Sequence, residues 1–147
     1  MDDLQKYVSE QPPKVGAFFE LVETTASLIA ASEKYWQSQG MNGARVRILV
    51  ELAKAGGSLL PSMLAERIGV TKANISVLLG PLASEGFVRI AGDPEDGRRR
   101  RVTLTPAGER LLLDTLPGNR EVLERLMNRL ETPELRQLLE LLAKLRG

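Results

Sequence analysis

The segment GDPEDGRRRRVTLT, residues 92–105, sets Asp93, Glu95 and Asp96 just ahead of four consecutive arginines, Arg98 to Arg101. A guanidinium is permanently charged and presents a planar fork of donors. Such a run suits phosphate oxygens and base edges rather than bond-breaking chemistry. A second group stands upstream at the start of an apolar-periodic stretch: Thr71, Lys72, Ala73, Asn74, Ser76 and Val77. Small polar side chains beside the free amides of a first helical turn suit an anion or the edges of bases. Ser62, at the start of the preceding helical stretch, joins these as a candidate contact.

Other chemistry is poorly provided for. The 147 residues contain no histidine and no cysteine. The commonest general base, the commonest metal ligand and every thiol reaction are therefore missing. No glycine-rich phosphate loop or paired-carboxylate motif stands out. An enzyme, a metal site and a cofactor are not expected. The formal net charge is only +1, but it is unevenly placed. Residues 1–37 carry three basic and six acidic side chains, residues 38–101 carry ten and six, and residues 102–147 carry seven of each. The middle of the chain is the part suited to an anionic partner.

The elements that must position these residues follow from periodicity and turn chemistry. Residues 1–11 read as a loose lead. From Pro12-Pro13 to Gln39 apolar residues recur at helical spacing, and Gly40 stops the pattern. Asn42 caps a second helix running to Ala55. Ser58 to Leu60 is a candidate edge strand. Pro61 begins a third helix ending at Gly69, and Thr71 caps a fourth that ends at Gly86. Residues 87–91 and 101–104 alternate, with Val88, Ile90, Val102 and Leu104 facing inward, and form a two-stranded hairpin with a tip at 92–100. Thr105-Pro106 opens leucine-rich helices, interrupted near Pro117-Gly118 and restarted at Thr132-Pro133. The expected class is mostly α with a small β-hairpin (α+β).

Ala65, Gly69 and Ile75 have helix-turn-helix spacing: a small residue at the crossing, glycine in the turn, and a branched residue that locks the second helix. Burying Ile75, Leu78 and Leu82 leaves Lys72, Ala73, Ser76, Val77 and Gly80 outward, with Asn74 at the margin. A hairpin directly after this pair makes a winged helix, and an arginine at its tip suits the narrow minor groove. Asp96 is placed to hold the Arg98 guanidinium, while Asp93 and Glu95 limit nonspecific attraction to DNA. The stretches LAERIGVTKANISVLLGPLASEGFV and DPEDGRRRRVTLTPAG resemble the MarR family of bacterial winged-helix transcription regulators. The wing pattern is carried by Asp93, Pro94, Asp96 and Arg98, and then by Val102, Leu104, Thr105 and Gly108.

The resemblance implies a winged helix-turn-helix with N- and C-terminal dimerisation helices, divided into 1–39, 40–105 and 106–147. It implies a homodimer binding a pseudo-palindromic operator in double-stranded DNA, with helix 71–85 in the major groove and wing 92–100 in the minor groove. DNA-binding residues are then Ser62, Thr71, Lys72, Ala73, Asn74, Ser76, Val77, Asp96, Arg98, Arg99 and Arg100. Repression, and release by a small aromatic effector, are the expected mode. The region matching the relatives' ligand site holds Tyr35, Trp36, Gln39 and Arg45, with Arg47 nearby. Two positions depart from the pattern. Val77 stands where many relatives carry arginine, which implies little direct reading of guanine there. Pro81 lies inside the same helix and cannot bond the Val77 carbonyl.

The flanking segments carry two leucine stripes. One comprises Val122, Leu123, Leu126, Met127 and Leu130, and the other Leu135, Leu138, Leu139, Leu142 and Leu145. Each leucine gains about 1.5–3 kcal/mol from burial, so a second copy is expected to cover them. Phe18, Phe19 and Val22 join Leu126, Leu130, Leu135, Leu138 and Leu142 as the expected dimer interface. No uninterrupted apolar run approaches the roughly 20 residues of a membrane helix, and no signal peptide is evident. The expected location is the cytoplasm, without a membrane partner. The competing reading is a winged-helix module that binds proteins, with weak or no DNA binding.

Overall fold

The computed structural model describes residues 1–147. Its elements run α1 (Asp2–Ser9), α2 (Pro13–Ser38), α3 (Gly43–Lys54), β1 (Ser58–Leu59), α4 (Pro61–Ile68), α5 (Lys72–Ser84), β2 (Val88–Gly92), β3 (Arg100–Leu104), α6 (Pro106–Met127) and α7 (Thr132–Arg146). The core lies in the middle of the chain. Ile48, Leu49 and Leu52 of α3 are fully buried with Leu64 of α4, Ile75 and Leu82 of α5, and Val102 of β3.

Local chemistry fixes where these helices begin. Asn42 Oδ1 accepts from the Arg45 amide at 2.9 Å, and Thr71 Oγ1 from the Asn74 amide at 3.1 Å. Each cap satisfies a donor that has no partner inside the helix. Thr105 does more. Its Oγ1 accepts from the Gly108 amide at 3.1 Å and donates to the Gly86 carbonyl at 2.6 Å, tying α6 to the turn after α5. A Cβ on Gly108 would overlap the Phe87 carbonyl, which is why the Thr105–Gly108 pair ends in glycine. α7 starts at Thr132 as expected, with Glu131 and Glu134 bonding each other's amides in a capping box.

The sheet has three strands in the order β1-β3-β2, all antiparallel. The hairpin therefore carries an edge strand: Ser58 pairs with Thr103 and Leu59 with Val102. In the hairpin Ile90 pairs with Val102 and Gly92 with Arg100, so both strands reach one residue further than expected and the tip shrinks to 93–99. Val88 and Val102 are buried as expected, while Ile90 and Leu104 are half-buried at the margin.

Three expectations are corrected. Residues 2–9 are helical rather than loose, with Asp2 and Asp3 in the first turn and Lys6 in the last, matching the helix dipole. α6 runs through Pro117-Gly118 without a break. Pro117 and Leu113, whose carbonyl the proline cannot bond, are both exposed, so water can reach that carbonyl. Gly118 is demanded by packing, since a Cβ there would overlap Tyr35 of α2, whose hydroxyl donates to the Thr115 carbonyl at 2.5 Å. Finally, α2 is by length and composition long and apolar enough to cross a membrane, with mean hydropathy 1.3 in its most apolar window. Uninterrupted apolar runs miss this because Glu20, Glu23, Thr24, Thr25 and Ser27 are scattered among the apolar residues.

Candidate nucleic-acid interface

The helix-turn-helix spacing is realised in α4 and α5. Ala65 is buried where the helices cross, and Gly69 takes the left-handed conformation (φ 75°, ψ 36°) that closes α4. The Gly69 and Val70 amides both return to the Ala65 carbonyl, at 2.9 and 3.0 Å. Ile75, Leu79 and Leu82 face the core and Leu78 is half-buried. Lys72, Ala73, Asn74, Ser76, Val77 and Gly80 are left exposed. α5 remains one helix across Pro81. As at Pro117, the residue whose carbonyl loses its donor, Val77, is exposed to solvent.

The wing is built by its own acids. The Asp93 amide donates to the Arg99 carbonyl at 2.7 Å, and the Arg99 amide to the Asp96 carbonyl at 3.0 Å. Asp93 is buried at the wing's base, where its Oδ1 accepts from the Glu95 amide at 3.2 Å. It shapes the turn and is not the exposed, DNA-repelling charge expected of it. Asp96 is corrected too. Its Oδ1 accepts from the backbone amide of Arg98 at 3.1 Å, and its Oδ2 lies 3.6 Å from Nε of Arg99. It therefore holds Arg98 through the main chain and pairs with the neighbouring guanidinium. The Arg98 side chain is exposed and has no ion pair.

Wing and helix pair meet in one cleft of about 340 Å³. Ser62 from the start of α4, Lys72 and Ser76 from the start of α5, and Arg99 and Arg100 from the wing all line it. Three cations and two helix N-termini therefore share one face. Free amides and positive charge at such a place attract phosphate oxygens. Residues as far apart in sequence as Ser62 and Arg100 thus form a continuous surface beside the exposed strip of α5.

The effector candidates divide. A second groove of about 340 Å³ lies between α2 and the α3–α5 lobe, lined among others by Ile29, Ser32, Glu33, Trp36, Arg47, Ile68, Val70 and Leu78. Of the expected region Trp36 and Arg47 line it. Tyr35 is edge-on to Trp36 (centroids 5.0 Å apart) with its hydroxyl turned to α6. Gln39 is exposed and bonds Ser38, while Arg45 lies 3.7 Å from Glu85 and fastens α3 to the end of α5. Glu33 and Ser32 were missed. The signal for them was the spacing of Ile29, Glu33 and Trp36, which puts all three on one face of α2.

Phe18, Phe19 and Val22 are exposed, as an interface requires. Leu126, Leu130, Leu135, Leu138 and Leu142 are half-buried within their own chain. The barest leucines of α7 are Leu139, Leu141 and Leu145, which border that stripe, and α1 adds Leu4, Tyr7 and Val8.

A helix-turn-helix followed by an antiparallel cationic wing, flanked by long helices, defines a winged-helix protein of the regulator class. The family model described as MarR family matches residues 39–99, which contain the helix pair and most of the wing. The HTH-type transcriptional repressor YetL of Bacillus subtilis (strain 168) is 32% identical over 116 residues, covering 78% of this chain and 70% of that protein. The crystal structure of a probable transcriptional regulator from Pseudomonas aeruginosa superposes with a TM-score of 0.79 at 28% identity, covering 86% of this chain and 94% of that one. Sco3205, a MarR family transcriptional regulator from Streptomyces coelicolor solved in complex with DNA, has the same fold, with a TM-score of 0.82 at 24% identity over 88% of this chain and 83% of its own. The chain belongs to the MarR family of transcription regulators.

Proposed function

We propose that this chain is a homodimeric transcriptional repressor that reads a pseudo-palindromic operator in double-stranded DNA. α5 enters the major groove and the wing, with Arg98 foremost, enters the adjacent minor groove. The observation that carries this is the single face on which Ser62, Lys72, Ser76, Arg99 and Arg100 converge around two helix N-termini. The repressor function of YetL and the DNA complex of Sco3205 support the same reading. The phosphate contacts fix register, and the exposed strip of α5 lies between them for base readout. In a two-fold dimer the reading helices address half-sites about 34–36 Å apart, one turn of duplex. Such a protein works in the cytoplasm.

The groove beside Trp36 is the effector site in this reading. It takes a small aromatic acid, the ring against Trp36 and the carboxylate toward Arg47. One wall belongs to α2 and the other to Ile68, Val70 and Leu78 of the DNA-binding lobe. A ligand wedged there shifts α5 relative to the dimer axis. Trp36 is the chain's sole tryptophan, so its fluorescence reports occupancy directly.

Footprinting on genomic fragments tests the main reading. The expected result is a protected site with two related half-sites on one face of the duplex, about one turn apart. A chain that protects no fragment at moderate salt, while remaining folded and dimeric, is not an operator-binding repressor.

A further inference from the structure

The surface that α5 offers to a major groove is unusual in what its polar groups are already doing. The Ser76 hydroxyl donates back to the Lys72 carbonyl at 3.2 Å, and Ser84 does the same to Gly80 at 3.0 Å. The Thr71 hydroxyl oxygen caps the Asn74 amide. Lys72 lines the cleft with the wing arginines, on the phosphate side of the helix. What remains in the open is an apolar strip. Ala73 and Val77 lie four residues apart on one face, Gly80 follows three further on, and Val77 is 73% exposed. Beside them the Asn74 side chain is exposed and makes no hydrogen bond within the chain.

We infer that this helix selects its operator by thymine methyl groups. The strip meets the C5-methyls of thymines along the floor of the major groove, and Asn74 pairs with the N6 and N7 edge of an adenine beside them. The inference rests on the DNA-binding reading and names the chemistry of its target. A valine and an alanine have no donor for guanine O6 or N7, whereas apolar contact with a thymine methyl is the one base-specific interaction open to them. The surroundings say why the occupant is a duplex. The strip is bordered along one side by the cleft of Lys72, Arg99 and Arg100, cations that suit the phosphates along the edge of a groove and not an apolar protein surface. Val77 accordingly works as a specificity-determining residue by shape and hydrophobic contact. Its half-site is A·T-rich under α5.

The experiment uses the full-length chain. A duplex is selected from a random pool, and each thymine of the enriched half-site is then replaced by deoxyuridine, which removes only the C5-methyl. The expected outcome is an enriched half-site with thymines under α5, at one or two of which the replacement weakens binding about fourfold, the equivalent of about 0.8 kcal/mol for one methyl-sized group. Replacement in both half-sites weakens it about fifteenfold. Val77→Ala is expected to bind the original duplex more weakly yet lose most of its sensitivity at one of those positions. An enriched site on which no methyl removal matters, or one with guanines under α5, overturns the inference and leaves DNA binding standing. A pool from which no duplex is enriched overturns the DNA-binding reading and this inference with it. Transfer of the uridine effect to positions contacted by the wing also overturns it.

Discussion

Single residues in this chain act through close approaches and local hydrogen bonds. Gly108 is the clearest. Its Cα packs against the Phe87 carbonyl, so Gly108→Ala forces the start of α6 away from the wing's first strand. The expected cost is about 1–3 kcal/mol of stability, the usual range for overpacking, read as a lower midpoint in urea unfolding. An unchanged midpoint means that α6 and the α5–β2 turn are not in tight contact. Asp93 and Asp96 act on the wing. Asp93→Ala removes the acceptor of the Glu95 amide at the wing's buried base. It is expected to leave the fold intact and weaken operator binding severalfold by loosening the loop that carries Arg98. Hydrogen exchange of the wing amides checks the cause, since they should exchange faster while those of α3 do not.

At the scale of elements, α5 is the informative case. Pro81 leaves the Val77 carbonyl without its helical donor, yet the helix continues from Lys72 to Ser84. Pro81→Ala restores that hydrogen bond. It is expected to raise stability by on the order of 1–3 kcal/mol, with the operator sequence preference unchanged. A changed preference means instead that the proline positions the reading turns. Much of this architecture was legible in the residues. Asn42, Thr71 and Thr105 announce their helices by side-chain chemistry, and Ala65, Gly69 and Ile75 announce the crossing, because caps and tight crossings are local. Pro117-Gly118 misled for a physical reason. Local propensity reads a break there, but Gly118 is set by Tyr35, some 80 residues earlier in the chain, and no local rule sees that. The partnering of Asp96 with Arg99, and of Arg45 with Glu85, was hidden for the same reason. Side-chain reach inside a turn, or between helices, depends on geometry that spacing alone leaves open. The second groove shows the limit from the other direction: residue types pointed to Trp36 and Arg47, but only the fold shows that they share a groove with Glu33 and not with Tyr35 and Gln39.

Across the whole molecule, the distribution of exposed apolar surface is what a second copy must resolve. Phe18, Phe19 and Val22 lie bare on α2, Leu4, Tyr7 and Val8 on α1, and Leu139, Leu141 and Leu145 on α7, which buries no residue fully. Large apolar side chains left exposed on these three helices suit an interface. Paired substitution of Phe18→Glu and Leu139→Glu is expected to convert a dimer to a monomer in light scattering while helical circular dichroism is retained. Operator affinity should fall at least a hundredfold, because a lone subunit engages one half-site only. A double variant that stays dimeric places the interface elsewhere.

The central claim is that an exposed arginine finger and the first turns of α5 grip one duplex together. The most direct measurement is operator affinity across a salt series for the native chain and for Arg98→Ala. The expected result is a steep linear fall of log affinity with log salt for the native chain, and for the variant weaker binding with a slope shallower by about one for each subunit's lost phosphate or groove contact. Equal affinity and equal slope for the two proteins contradict it.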